Sequence, residues 1–167
     1  MSKSKTLKLI TLFAYQKDLD EHIHELKGLT YGQTLARRKL AFLVELGELA
    51  NKTRCFKYWS NQQSEERELL LDEYADGLHF LLSLGLATGV VVEEITYTAT
   101  TSDLTTAFLT VYSVFNSFVA NNDRKQYIAL LRAFFALGSS LGFSEEEVKD
   151  AYLKKLRTNY RRQANNY

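Results

Sequence analysis

Leu40-Ala41-Phe42-Leu43-Val44-Glu45-Leu46-Gly47-Glu48-Leu49 is the stretch on which the reading of this chain turns. Leu40, Leu43, Val44, Leu46 and Leu49 recur at helical spacings, the signature of a rod with one apolar side. The pattern predicts a helix from about Thr34 to Tyr58. Glu45 and Glu48 are three residues apart, so they differ by about 60° in azimuth and share one face.

A second pair, Glu73 and Asp76, repeats this spacing on the next predicted helix. That helix opens after Ser64, a candidate N-cap followed by Glu65 and Glu66 in the first turn, and runs to about Leu86. The pairs centre on positions 46.5 and 74.5, so their midpoint, 60.5, falls in the polar Ser60-Asn61 connection. An antiparallel hairpin of the two helices therefore sets both pairs at one height. Four carboxylates at one level repel unless protons or cations intervene, and oxygen-only donors suit Mg²⁺ or Mn²⁺. Either pair alone reads more simply as solvated surface charge. Two pairs in register, flanked by Leu46, Leu49, Tyr74 and Leu78, favour a metal site. A di-iron bundle is disfavoured, because it needs two Glu-x-x-His motifs and only His79 stands three residues after an acid of these pairs. His79 reads as a core or supporting hydrogen-bonding group, and His22 and His24 have no ligand spacing.

The rest of the chain extends the helical pattern. Leu9, Leu12, Phe13, Gln16, Leu19, Asp20 and Ile23 form a first stripe with polar members, closed by a loop at Gly28, Thr30 and Gly32. Thr96–Ser102 is threonine-rich and reads as a loop whose β-branched residues also permit a short strand. Ser102 or Asp103 caps a fourth helix through Phe108, Val111, Tyr112, Phe115 and Phe118. A fifth spans about Lys125 to Leu141, and Ser144 with Glu147 forms a capping box that opens a sixth. The apolar faces of the fourth and fifth helices serve equally as monomer core or as an interface. The expectation is an all-α bundle of about six helices, a single domain over residues 1–167, with no convincing sheet.

Composition bounds the function. The 167 residues include no proline, as helices with short connections require, and one cysteine, which excludes an intrachain disulfide and a cysteine-based zinc cluster. No apolar run reaches the roughly 18 residues of a membrane span, and the N-terminus does not read as a signal peptide. The cytoplasm is the expected compartment. A net charge of +1 gives the whole molecule no reason to seek a polyanion, so neither nucleic acid nor membrane is an expected partner. Local basicity remains: Lys155, Asn159 and Arg162 fall at i, i+4 and i+7 on the last helix. That stripe reads either as a polyphosphate track or as a solvated tail. Arg54, Lys57 and Tyr58 close the second helix, and Trp59, the only tryptophan, reads as core or as a stacking platform for a base.

Taken together, Phe42 through Ser60 with its Glu45-Leu46-Gly47-Glu48 and Lys57-Tyr58-Trp59-Ser60 runs, Glu73 through Phe80, and the Lys155/Asn159/Arg162 stripe resemble the dimeric all-α dUTP pyrophosphatases, of the MazG-like pyrophosphatases. The resemblance covers nearly the whole chain, including Gln16, Leu19 and Asp20. It implies Mg²⁺-dependent hydrolysis of dUTP, and of dUDP, to dUMP by a homodimer whose sites are completed from both subunits. Glu45, Glu48, Glu73 and Asp76 match the metal-binding acids of that family, and one of them positions or deprotonates water. Gly47 beside Glu48 permits close approach and makes Glu48 the first choice for that role, with Glu45 next. Gln16 and Trp59 would lie at uracil, Asn159 and Asp76 at the deoxyribose, and Lys57, Lys155 and Arg162 at the phosphates. The competing readings are a related pyrophosphatase for dCTP or another non-standard nucleotide, and a non-enzymatic helical binding protein.

Overall fold

A computed structural model describes residues 4–98 and 103–166. In chain order these form β1 (Lys5–Lys8), α1 (Ile10–Lys27), α2 (Tyr31–Thr53), α3 (Arg67–Ala87), β2 (Glu94–Tyr97), α4 (Leu104–Asn121), α5 (Arg124–Ser140) and α6 (Glu145–Ala164). The helices share one hydrophobic core, and α3 runs through its middle in contact with α1, α2, α5 and α6. Eleven residues of α3 are buried, so this helix is enclosed on most of its circumference.

Local chemistry sets the boundaries. α1 stops at Gly28, whose φ of 63° lets its N–H return to the His24 carbonyl. α2 begins at Tyr31, earlier than periodicity suggests, because Thr30 and Gln33 close a reciprocal capping box. It ends at Thr53 rather than near Tyr58. Arg54 takes a left-handed conformation there, and its guanidinium Nη2 donates to Ser60 Oγ at 2.9 Å. Ser64 does not cap α3. The Glu65 N–H is tied back to the Lys52 carbonyl at 3.0 Å, which holds this stretch against the end of α2, and the helix starts at Arg67 behind Glu66. Asp103 caps α4 by accepting from Thr106 N–H, and Asp123 caps α5 through Gln126 N–H. Ser144 and Glu147 form the expected capping box of α6, and Arg67 of α3 grips the same Glu147 carboxylate with two bonds of 2.8 Å.

The sheet departs from expectation. β1 and β2 pair antiparallel, Leu7 opposite Ile95, and these two side chains face the core. Thr96 and Tyr97 thus belong to a strand, while residues 99–102 of the predicted loop, with the alternative cap Ser102, lie outside the described residues. The apolar faces of α4 and α5 are monomer core, with Val111, Phe115, Phe118, Leu131 and Phe134 all buried. Phe42 of α2 stacks on Phe115 at 5.4 Å, joining the α2 side to the α4 side. Among the described residues no single helix is long and apolar enough to cross a membrane.

α3 and α5 are keyed to each other. The Tyr74 hydroxyl of α3 donates to the Phe134 carbonyl at 3.0 Å and sits where a Cβ on Gly138 would lie 2.5 Å away. In return the Tyr127 hydroxyl of α5 donates to the Leu81 carbonyl at 2.8 Å, in the space left by Gly85. Each glycine admits a phenol that no other residue would admit.

Candidate active site

The contact between α2 and α3 brings the acids together. Carboxylate oxygens of Glu45, Glu73 and Asp76 all lie within 4.8 Å of one another. Glu48, one turn beyond Glu45, is exposed and borders a separate shallow recess with Val44, Gly47, Asn51 and Lys52. Two lysines reach the cluster. Lys52 Nζ pairs with Glu73 at 2.9 Å, and the buried Lys155 of α6 binds Asp76 at 2.7 Å and Asp72 at 2.9 Å. Those bonds hold the Lys155 ammonium above its usual range although burial pulls the other way.

Glu45 has no ion pair of its own among the described residues. Burial first, and then the charges of Asp76, Glu48 and Glu73, push its carboxyl up to about 7. Burial likewise raises Asp76 against the opposing pull of Lys155. A carboxylate group so crowded that one member holds its proton near neutrality is short of positive charge.

The cluster forms one end of a cavity of about 490 Å³, a volume suited to a small ligand. Gln16, Glu45, Asp76, Asn159 and Arg162 line it, and Lys155 touches it through Asp76. The structure therefore gathers most of the predicted site residues on α1, α2, α3 and α6. Besides Glu48 in its own recess, it leaves two more elsewhere. Trp59 is 65% exposed and Lys57 has its ammonium 5.7 Å from the Phe56 ring centre, both in the connection after α2 and away from the cavity lining.

The floor of the cavity is a polar network. Gln16 Nε2 donates to Asp20 Oδ1 at 2.9 Å, while its carbonyl accepts from His79 Nδ1 at 2.6 Å and from Tyr152 Oη at 3.0 Å. One amide proton of Gln16 is left for a ligand. Asp20 Oδ2 accepts from Ser83 Oγ at 2.6 Å and from Tyr31 Oη at 3.1 Å. Arg38 Nε donates to Ser83 Oγ at 2.6 Å, and its Nη2 donates to His24 Nε2 at 2.8 Å. Burial and the Arg38 charge lower the His24 pKa, as an imidazole that accepts from a guanidinium requires. Burial takes His79 down to about 4, so it is neutral, and its single ring proton faces two acceptors, the Gln16 carbonyl 2.6 Å from Nδ1 and the Tyr152 carbonyl 3.3 Å from Nε2; the shorter contact favours Nδ1 as the donor.

Sequence reasoning passed over Arg38, Ser83 and the role of His24. A signal for Arg38 existed: Thr34, Arg38, Ala41 and Glu45 follow one another at steps of four, three and four, a stripe that ends on the acid pair.

A helical bundle whose central helices present clustered carboxylates at a polar-floored cleft of this volume has the form of a small-ligand site. A family model described as dUTPase matches residues 8–167, nearly the full length, and the chain belongs to the dUTPase family, whose activity is that of a dUTP diphosphatase. No curated protein matched the chain.

Proposed function

We propose that the protein hydrolyses dUTP, and dUDP, to dUMP with Mg²⁺, Mn²⁺ being a possible substitute, as a cytoplasmic homodimer. The convergence of Glu45, Glu73 and Asp76 within 4.8 Å at one end of a nucleoside-sized cavity carries this reading. The donor set fits a hard divalent ion: it is all oxygen, partly buried and deficient in positive charge, as the raised Glu45 carboxyl attests. Glu45, Glu73 and Asp76 would hold the ion, with Glu48 one turn outward on the same helix. When bound, Mg²⁺ neutralises phosphate charge and makes water more acidic.

The chain's own groups do the rest. Glu48, exposed beside Gly47, takes the proton of the attacking water, and Glu45 orients that water. The water oxygen bonds to phosphorus as one phosphoanhydride P–O bond breaks, giving dUMP and pyrophosphate from dUTP, or dUMP and phosphate from dUDP. Lys155, bonded to Asp76, and Arg162 of the same helix would neutralise the phosphates. Asn159 and Asp76 flank the deoxyribose, and Gln16, oriented by His79 and Tyr152, offers its remaining amide proton to the base. Lys57 and Trp59, outside their own chain's cleft, contact the nucleotide of a partner subunit. Exposed Leu40 (64%) and Val44 on α2, with Leu109 (63%) on α4, supply apolar surface for that dimer.

The test is phosphate and pyrophosphate release from dUTP, dUDP, dTTP and dCTP with and without Mg²⁺, alongside sedimentation of the same sample. Selective, Mg²⁺-dependent turnover of dUTP and dUDP by a dimer is expected. Turnover of dUTP that is indifferent to chelator would overturn the metal assignment.

A further inference from the structure

Among the described residues three buried side-chain atoms lack a hydrogen-bond partner, and two of them, Arg38 Nη1 and Gln163 Oε1, belong to residues that line the same cavity. Unpaired buried polar groups are costly, so each of these atoms calls for a partner from outside the chain, a water or a ligand, and both sit on residues lining one cavity.

Arg38 is poised rather than loose. Its residue is 9% exposed, its Nε and Nη2 are fixed by Ser83 and His24, and its guanidinium lies 4.8 Å over the Tyr31 ring. Because the guanidinium is planar, those contacts also fix where Nη1 points. Asp20, 4.0 Å from Nη2, already balances the charge, so the free N–H suits a neutral acceptor better than a phosphate. Arg38 stands seven residues before Glu45 on α2, two turns or about 10 Å from the acid end, roughly the span from a sugar phosphate to the far edge of its base. Gln163 enters from α6, on the wall that also carries Asn159.

Beside the remaining amide proton of Gln16, the residues lining the cavity thus carry one donor atom and one acceptor atom with no protein partner at all. The hydrogen-bonding edge of a 2,4-dioxopyrimidine has a carbonyl acceptor beside an N–H donor. Cytosine reverses both: an amino donor replaces the carbonyl, and a lone pair replaces the N–H.

We propose that Arg38 Nη1 donates to the 4-carbonyl of the substrate's pyrimidine while Gln163 Oε1 accepts from the ring N–H beside it, and that this pair discriminates uracil from cytosine. The proposal rests on the dUTPase reading of the cavity. It adds two specificity residues that touch the base, and it leaves the acid cluster unchanged.

Mutation of either residue is expected to lower the ratio of kcat/KM for dUTP over dCTP by about tenfold to a hundredfold, the range for loss of one buried hydrogen bond. The fall should come mainly from KM for dUTP. Calorimetric binding of dUMP and dCMP without metal should show the same loss of preference. Gln163→Leu is the decisive variant because it leaves the Asp20–Ser83–Arg38–His24 network intact. Arg38→Lys keeps the charge but loses the fork, and a melting curve shows whether it folds. If Gln163→Leu turns over dUTP and keeps the wild-type preference over dCTP, the base-reading pair is wrong while the dUTPase reading stands. If wild-type protein fails to turn over dUTP, the dUTPase reading falls first, and the dUMP/dCMP binding comparison still decides whether the pair reads the base.

Discussion

Replacing His79 by glutamine should change how stability depends on pH more than how large it is at neutrality. His79 is 4% exposed, stacked 4.1 Å from the Tyr152 ring and bonded to Gln16, and burial holds its pKa near 4 against 6.5 for the free side chain. Between these values the unfolded chain binds one more proton than the folded protein. Stability therefore falls on acidification at about 1.4 kcal/mol per pH unit, for a total of about 3 kcal/mol by the time pH is below 4. Glu45 acts in the opposite sense. Its folded carboxyl titrates near 7 and its unfolded one near 4.5, so acidification through that window relieves a destabilisation. That contribution is reduced by solvent screening, because Glu45 is only half-buried. In the wild type the two slopes partly cancel. Urea denaturation at pH 7.5, 6.0 and 4.5 should show a shallow decline for wild type. His79→Gln should lose the decline or reverse it, and Glu45→Gln should steepen it. Parallel curves for wild type and His79→Gln would refute the argument.

Glu48→Gln should bind dUTP with Mg²⁺ but turn over about a hundredfold more slowly or worse, the usual contribution of a general base, as measured by pyrophosphate release. Chelation of Mg²⁺ should abolish turnover, and adding Mg²⁺ should raise the melting temperature of wild type but not of Asp76→Asn. Gly138→Ala drives a methyl to 2.5 Å from the Tyr74 hydroxyl and 2.8 Å from its Cζ, and should cost about 1–3 kcal/mol by thermal or urea unfolding; Tyr74→Phe should not restore it, because the ring carbon remains in the way. Ser144→Ala removes the side-chain half of the α6 capping box and should cost about 1 kcal/mol in the same assay.

The parts of the molecule legible in sequence were those written in short-range spacing. Apolar residues three and four apart gave the helices, Ser144 with Glu147 gave the start of α6, and Glu45, Glu73 and Asp76 met because equal distances from a turn place residues at equal heights. Features made by distant segments were not legible. β1 is four residues long with lysine at both ends, and its partner lies some ninety positions away, so no local pattern announced it. The start of α3 was misjudged because Ser64 has the chemistry of a cap, and only the tie from Glu65 to Lys52 shows that the chain is still finishing its turn. The Arg38–Ser83–Asp20 network draws on three helices, and on each of them its members look like ordinary surface or interior residues. Trp59 and Lys57 show the limit in another direction, since neighbours in sequence of the end of α2 stand outside the cavity that α2 helps to build.

The paired tyrosine sockets between α3 and α5 have a mechanical consequence. A slide of either rod by one residue, about 1.5 Å, would pull one phenol out of its glycine notch and ram the other into a neighbouring side chain. Tyr74 and Tyr127 resist in concert because each belongs to the opposite rod. Glu73 and Asp76 are therefore held lengthwise against α5, and a change in the cleft that keeps both sockets filled cannot be a slide of α3 along its neighbour.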